Sequence, residues 1–429
     1  MVTLLKLSQA AVLALALAAG ASAAQDRPGE SPHRWLVQAN ASHAASDSDE
    51  TAWLNSGLGK TRYDKSDPRL ALDRLLIEYR GTIRPTLFTH LAIDYQNDGA
   101  ADFDMTEGYL EWRPVPRSAN RHRFRFGGFY PRLSLENIAP GWETPFSLSS
   151  SAINSWISEE VKLLGAEWSL QRNLGGPGSP HAAGLFASLF YGNDPSGTLL
   201  AWKGWGIHDR QTRWREQLPL PPLPQLADGT RLRDKQAPWA EPFKEIDHQP
   251  GYVLGAEWRY AQRAFLQIMH YDNRADPEST SSGQYGWATD FNHVAFQFSL
   301  PWKLGLMAQW MRGRTMMGGI VNGLRVVDNE FEASYVMLTR LQNRHRITVR
   351  YDDFSVTEND FLPLDNNRES GHALALAYMF EYSPNMHYGI EWLTIDSERP
   401  ARAYLGVTTG IDDTVVQAQI RLRFNTRSE

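Results

Sequence analysis

Arginine side chains recur at every second position in several short segments of the chain. Successive residues of a β-strand point to opposite faces, so residues with this spacing share one face of the strand. A row of guanidinium groups beside confined water offers successive weak sites for anions. The rows comprise Arg121, Arg123 and Arg125, then Arg344, Arg346 and Arg350, and finally Arg421 and Arg423. The spacing therefore predicts positively charged strips on a polar face, and we treat these eight residues as candidate pore-lining residues.

A loop rich in carboxylates and amides follows the first arginine row, at about 129–160. Opposite the arginines, its acidic groups would set up a transverse electric field that orients polar solutes. In an alternative interpretation, arginine and glutamate side chains form ion pairs with each other across strands of the lumen wall and have no role in selecting solutes. The candidate constriction residues of this loop are Glu136, Asn137, Glu143, Asn154, Glu159 and Glu160.

Signatures of enzymatic chemistry are missing from the sequence. It has no cysteine, no Gly-x-Ser-x-Gly elbow and no His-Glu-x-x-His pair,. The adjacent carboxylates Asp352-Asp353 would face opposite sides of a strand. Gly57-Leu58-Gly59-Lys60-Thr61 resembles the end of a phosphate-binding loop, but position 54 is Leu54 where that motif needs glycine,. We expect no catalytic residue, no cofactor and no bound metal, and we interpret 57–61 as an exposed loop.

The elements that position these residues follow a period of two rather than 3.6. In the last segment, Val416, Ile420 and Phe424 alternate with glutamine and arginine, which is typical of strands,. The predicted strands are sixteen: 33–41, 74–83, 86–97, 104–114, 121–128, 161–171, 183–192, 251–261, 263–272, 291–300, 303–312, 330–340, 344–354, 372–382, 385–395 and 414–424. The protein is therefore predicted to be all-β.

Short and long connections alternate between the predicted strands. Tight links such as Ser383-Pro384 alternate with long segments, including 193–250 and Gly313–Asn329. Turns at one rim and loops at the other are the pattern of an outer-membrane barrel. We therefore predict a 16-stranded antiparallel transmembrane β-barrel, wide enough for an aqueous channel unless a loop folds inward. For the tryptophan- and proline-rich loop 193–250, a lid or solute-binding platform and a packed surface loop both stay open.

The start of the chain indicates export. Residues 1–23 combine Lys6, an apolar stretch and a small-residue cleavage pattern, as in a secretory signal peptide,. Residues 24–429 then form a single barrel domain. A net charge of −6 excludes a basic nucleic-acid footprint,. Aromatic residues near predicted strand ends suit the girdles of a membrane barrel: Trp35, Trp112, Trp168, Trp258, Trp302, Trp310, Tyr382 and Trp392,.

The segment Phe124–Glu136 resembles the strand-and-loop signature of porins of the phosphate-selective O/P type and related porin-like proteins. That signature is an arginine-bearing strand, a Gly-aromatic-x-Pro turn and an acidic-polar third loop. The resemblance implies a constriction formed by the third loop, and it leaves a homotrimer open as the assembly.

The function expected from these features is that of a porin in the outer membrane of a Gram-negative cell. It would pass small hydrophilic solutes or ions by diffusion, with a weak preference for anions. The expected partners are outer-membrane lipid and lipopolysaccharide together with these solutes, and no nucleic acid. Two alternatives stay open: a barrel with a closed lumen that acts in surface binding or adhesion, and a soluble periplasmic lectin rich in aromatic residues.

Overall fold

The computed structural model describes residues 33–66, 70–98, 103–176, 178–360 and 362–426, so the signal segment 1–23 lies outside the described residues. Within these residues, sixteen antiparallel strands pair in chain order and the first pairs with the last, which closes a barrel. The strands are β1 His33–Ser46, β2 Leu70–Arg84, β3 Leu87–Gln96, β4 Asp104–Trp112, β5 Asn120–Phe129, β6 Leu163–Asn173, β7 His181–Tyr191, β8 Gly251–Tyr260, β9 Ala264–Asp272, β10 Ala288–Leu300, β11 Leu304–Val321, β12 Leu324–Gln342, β13 His345–Glu358, β14 Glu369–Ser383, β15 Met386–Glu398 and β16 Gly410–Asn425.

The side-chain alternation is the inverse of that in a soluble barrel. On β16, the apolar Val416 and Ile420 are 41% and 42% exposed on the outer surface, whereas Gln419 and Arg421 are buried inside. The same order holds on β13, where Val349 faces outward. An outer surface of aliphatic side chains suits hydrocarbon, in which every backbone polar group must pair within the protein. The closed sheet meets that requirement because it has no edge.

Aromatic rings cluster on the outer surface near the turn side of the barrel, the side where the tight turns lie. Trp112 stacks on Phe124 with ring centroids 5.0 Å apart, and Trp35 lies 4.6 Å from Tyr79. Trp302, in a turn, is 78% exposed. Amphipathic rings at this level are typical of a membrane–water interface.

The loop side carries the remaining structure. Two α-helices lie in the connections, α1 at Ala152–Glu160 and α2 at Thr198–Trp202. Short 3-10 turns and two-residue strand pairs complete the loops: Trp53–Asn55, Pro140–Trp142, Pro224–Leu226 and Pro400–Leu405, with Leu218–Pro219 paired to Trp239–Ala240 and Thr280–Ser281 paired to Gln284–Tyr285. A further 3-10 turn, Pro301–Lys303, forms the tight link between β10 and β11 on the turn side. Among the described residues, no helix combines the length and the apolar character that crossing a membrane requires.

All sixteen predicted strands are confirmed, with ends that differ mostly by a few residues. The prediction of a long loop at Gly313–Asn329 is wrong, because β11 and β12 continue through it to a two-residue turn. Asn322 and Gly323 have φ of 53° and 84°, the left-handed values that a tight hairpin turn requires and that Asn-Gly adopts readily,. This hairpin therefore projects beyond its neighbours on the loop side.

A charge placed on the outer apolar surface tests the orientation of the wall. Leu338 of β12 is 44% exposed there. Leu304, the first residue of β11, lies on the same surface at the turn-side end, where it pairs with Arg340 of β12. We expect Leu338→Arg to lower the free energy of unfolding in phospholipid vesicles by about 2–4 kcal/mol, because an arginine would enter hydrocarbon. Leu304→Arg should cost about 0–1 kcal/mol, since Leu304 lies near the interface. Equal costs in equilibrium denaturant unfolding would contradict a membrane-embedded wall.

Candidate channel lumen

The predicted arginine rows are placed mainly along the inner wall. Arg125 of β5 donates to both carboxylate oxygens of Glu167 at 3.0 and 2.7 Å. Arg123 lies 3.4 Å from Glu111, and Arg121 is exposed near the turn side. The first row is therefore in part paired across strands, as the second sequence-based interpretation proposed.

Other members of the arginine rows differ in environment. Arg346 lies with its guanidinium 4.8 Å from the Phe146 ring centre, and Arg423 donates to Gln38 at 2.6 Å. Arg344 does not lie on a strand: it is exposed in the turn between β12 and β13 and donates to the Tyr382 carbonyl at 3.0 Å. This position follows from the tight turn, which needs two residues between those strands.

The third loop, residues 130–162 and called L3 below, lies inside the barrel. It contacts wall residues five or six positions from the turn-side ends of their strands, so it forms a layer at one height: Gln38 of β1, Gln309 of β11, Arg350 of β13, Glu391 of β15 and Arg421 of β16. These strands form one arc of the barrel, from β11 round to β1, whereas L3 leaves β5 and returns to β6 outside that arc. L3 therefore spans the lumen from wall to wall.

Glu143 is one anchor of L3. Its carboxylate accepts from Arg74 at 2.9 Å and from Gln38 at 2.7 Å, and it lies 3.3 Å from Arg421. Burial alone would raise the pKa of Glu143, but Arg421 and Arg74 outweigh burial and lower that pKa to about 2,. The predicted constriction residue thus acts as a buried counter-ion that fastens the loop to β2 and β16.

Arg350 is the second anchor. Its fully buried guanidinium donates to the carbonyls of Ser149 and Ser150 at 2.7 and 2.9 Å and to Asp352 at 2.7 Å. Glu136 lies 3.5 Å away and accepts from the Ser151 backbone at 2.8 Å. Through Arg350, strand β13 therefore holds two parts of L3: the segment just before α1 and the carboxylate of Glu136.

The two predicted amide residues of L3 serve internal contacts. Asn137 donates to the Trp142 carbonyl at 3.0 Å, and Asn154 donates to Glu136 at 2.7 Å and to Gln309 at 3.1 Å. All nine residues of α1 are buried. These side chains hold the loop together. The transverse electric field that the sequence predicts would instead require groups exposed to water in the channel.

Glu159 and Glu160 at the end of α1 contact the fourth loop, residues 192–250 and called L4 below. Glu159 binds Lys203 and His208, each at 2.5 Å. Glu160 accepts from the backbone of Leu199 at 2.8 Å and of Leu200 at 3.1 Å. Burial raises the pKa of Glu160 to about 7,. These contacts make α1 and L4 one packed unit.

L4 packs over the loop side of the lumen and forms a second apolar core there. Trp202 and Trp287 pack edge to face with ring centroids 5.1 Å apart, and Leu220 and Leu223 of the proline-rich run are buried in the same core. Trp205 contacts Trp156 of α1, so this core adjoins the one around L3. The L3 and L4 loops together fill the middle and loop-side parts of the lumen.

The segment 57–61 is not the exposed loop that the sequence predicts. Lys60 is fully buried, forms an ion pair with Glu369 and donates to the Trp205 carbonyl at 3.1 Å. Burial lowers the pKa of Lys60 to about 7 against the opposing effect of Glu369,. Arg399 lies 3.3 Å from the same carboxylate. The first loop thus joins the seal over the lumen.

These partners were missed because they are isolated in the sequence. Arg74 and Glu369 belong to no row or motif, and Lys60 lies in the segment 57–61 that was interpreted as an exposed loop. Each acquires its role from a residue more than 60 positions away. The sequence offered one signal for these partners: the position of Arg74 on its strand, which places its side chain inside the barrel.

A cavity of about 610 Å³ lies below L3 on the turn side. Residues from β4, β5, β8, β9 and β10 line it together with L3 and the β8–β9 turn. Two spaces beside L3 are about 10 Å³ each, which is about the volume that one water needs,. A small solute therefore fits below L3 but not in either of these two spaces in this conformation.

Comparisons with known proteins concern the architecture. No protein-family model matches the chain, and no curated protein matches it. The outer membrane channel DcaP of Acinetobacter baumannii is similar over 91% of this chain and 96% of its own, with 12% identity and a TM-score of 0.53. An anion-selective porin from Comamonas acidovorans is similar over 91% and 98%, with 11% identity and a TM-score of 0.46. At these identities the likeness concerns the fold alone, so the resemblance to phosphate-selective porins stays a prediction.

Acid should release L3 from the wall. Glu143 has a folded-state pKa of about 2, below its ordinary value, so its contribution is present above about pH 4.5 and is lost as the pH falls through about 2,. We expect pepsin cleavage near Phe146 to increase steeply over that window in the detergent-solubilised barrel. Glu143→Gln removes the charge. Relative to the cleavage of an unfolded substrate by pepsin at the same pH, its cleavage rate should be nearly constant from about pH 5 downward. Identical pH profiles for both proteins would contradict the anchor.

Proposed function

We propose that the chain is a porin-type channel of the outer membrane that admits small hydrophilic solutes or ions. The observation that carries the proposal is the closed 16-stranded wall with aliphatic residues outside and arginine, glutamate and glutamine inside. A wall of this kind separates lipid from a polar lumen. The shared fold with DcaP, which is described as an outer membrane channel, supports the proposal.

The proposal includes a closed state. L3 and L4 occupy the lumen in this structure, so passage requires that they move relative to the wall. Ion pairs and hydrogen bonds, such as those of Glu143 and Arg350, attach them to the wall. An apolar contact adds to these, because Trp156 of α1 packs on Phe291 and Phe331 with ring centroids 5.6 and 5.1 Å apart. The polar contacts can be exchanged for water when the loops shift, whereas Trp156 would have to leave its apolar partners. We propose that the Glu159–Lys203–His208 cluster is the latch between α1 and L4.

Conductance in planar bilayers tests channel and latch together. For the native chain we expect brief openings separated by long closed intervals. Lys203→Met should raise the open probability by at least about tenfold, because removing one partner of a buried ion pair commonly costs about 3 kcal/mol or more. Lys235→Met is the matched control, since Lys235 is an exposed lysine of the same loop. A silent native barrel, with no openings in Lys203→Met either, would overturn the channel proposal.

The weak anion preference is part of the same proposal and rests on the inward arginines of β5. Arg123→Glu should shift the reversal potential in a salt gradient toward cation preference, because it reverses a charge on the inner wall. Arg344→Glu, in the exposed turn, should shift it less. An unchanged reversal potential in Arg123→Glu would remove this arginine from the ion path.

The closed-lumen binding module stays the second candidate, and the complete burial of α1 favours it. It predicts loops that never leave the lumen. Bilayer recordings of the native chain and of Lys203→Met separate the two candidates, because a permanently filled barrel conducts in neither. We propose that the protein carries out no catalysis in either case, since no catalytic constellation was recognised in the sequence.

A further inference from the structure

Arg132 of L3 has a guanidinium with no hydrogen-bond acceptor among the described residues. Its nearest carboxylate, Glu167, lies 3.6 Å away and already accepts two hydrogen bonds from Arg125. The Arg132 side chain is 22% exposed, toward the cavity of about 610 Å³ that it lines. Burial lowers the pKa of Arg132 to about 10, opposed by Glu167. A half-buried fork of donors without acceptors is a ready site for an anion.

The charges around the cavity leave room for one negative charge. Four arginines line it, Arg125, Arg132, Arg259 and Arg263, against the two glutamates Glu107 and Glu257. Glu167 on the inner face of β6 neutralises Arg125, and Arg259 lies 3.3 Å from Glu257. The remaining excess of about one positive charge fits a monoanion.

The cavity also presents apolar surface, to which L3 contributes Ile138 and Trp142. Ile138 is 64% exposed although it lies inside the barrel, and it lines the same cavity as Arg132. Next to it, Trp142 stacks on Tyr130 with ring centroids 4.2 Å apart. An exposed aliphatic side chain beside an aromatic pair favours a ligand with a hydrophobic part.

We propose that this cavity binds small monocarboxylates that carry an apolar ring or branched chain, with the carboxylate on Arg132 and the apolar part against Ile138 and Trp142. A bidentate carboxylate would supply the acceptors that the guanidinium lacks. A cavity of this volume is of the size that holds small-molecule ligands. The role of the site in transport rests on the proposed channel function, but the binding itself does not.

Equilibrium binding to the full barrel in lipid nanodiscs tests the site, with empty nanodiscs as the blank. The probes are benzoate, acetate, benzyl alcohol and inorganic phosphate. We expect benzoate to bind at least about tenfold more tightly than acetate, benzyl alcohol or phosphate, since only benzoate satisfies both halves of the cavity. Phosphate binding as tightly as benzoate would overturn the proposed ligand class.

Three variants assign the two halves of the site. Arg132→Gln should weaken benzoate binding about tenfold or more, because it removes a charge-assisted bidentate contact. Ile138→Ser should weaken benzoate but leave acetate unchanged. Arg344→Gln, an exposed turn arginine outside the cavity, should bind like the native chain. Unchanged benzoate affinity in Arg132→Gln would overturn the site.

Two controls keep the outcome interpretable. Arg132→Lys keeps the charge without the fork and should give an intermediate affinity. Arg132→Gln should fold, because Glu167 keeps its partner Arg125. A shift in mobility between unheated and heated samples on an SDS gel checks that the barrel has folded. Conductance without benzoate binding would overturn only the site, whereas benzoate binding by a barrel that never conducts would overturn only the channel.

Discussion

The pairing of β1 with β16 is the constraint on which the rest of the structure depends. It closes the sheet, so no strand of the barrel is left as an edge strand,. Closure around sixteen strands makes the interior too wide for the wall side chains to fill. Inward arginines and glutamates then need either water or other chain segments as partners. In this protein L3 and L4 supply many of those partners.

The interior charges consequently have a structural role that their spacing does not reveal. Arg350 and Arg74 hold L3 through carbonyl and carboxylate groups of the loop. Buried ion pairs of this kind add little net stability relative to well-packed apolar residues, but they are costly to break singly. They fix where the loop lies more than how stable the barrel is. The polar contacts of such a plug can be exchanged for water, whereas the packing of Trp156 on Phe331 of the inner wall would be lost in a second arrangement,.

The two sides of L3 differ in chemistry. On the loop side, L4 and the first loop cover it with tryptophan and leucine, and the Lys60–Glu369 pair is excluded from water. On the turn side it borders a cavity with unpaired donors and exposed apolar surface. The same loop thus closes the lumen toward one rim and forms a candidate binding surface toward the other. Movement of L3 would couple the two.

The sequence by itself determined the wall: alternation at period two predicted all sixteen strands, and the choice of lipid or lumen face followed from which residue types alternate. It did not distinguish a loop from a continued hairpin at 313–329, where only Asn322-Gly323 carried the turn signal. The contents of the lumen were decided by tertiary structure alone. Glu143 meets Arg74 and Arg421, and Lys60 meets Glu369, across distances in sequence that no periodicity spans. A side chain's face is a local property of its strand, whereas its partner depends on how a loop crosses the closed barrel.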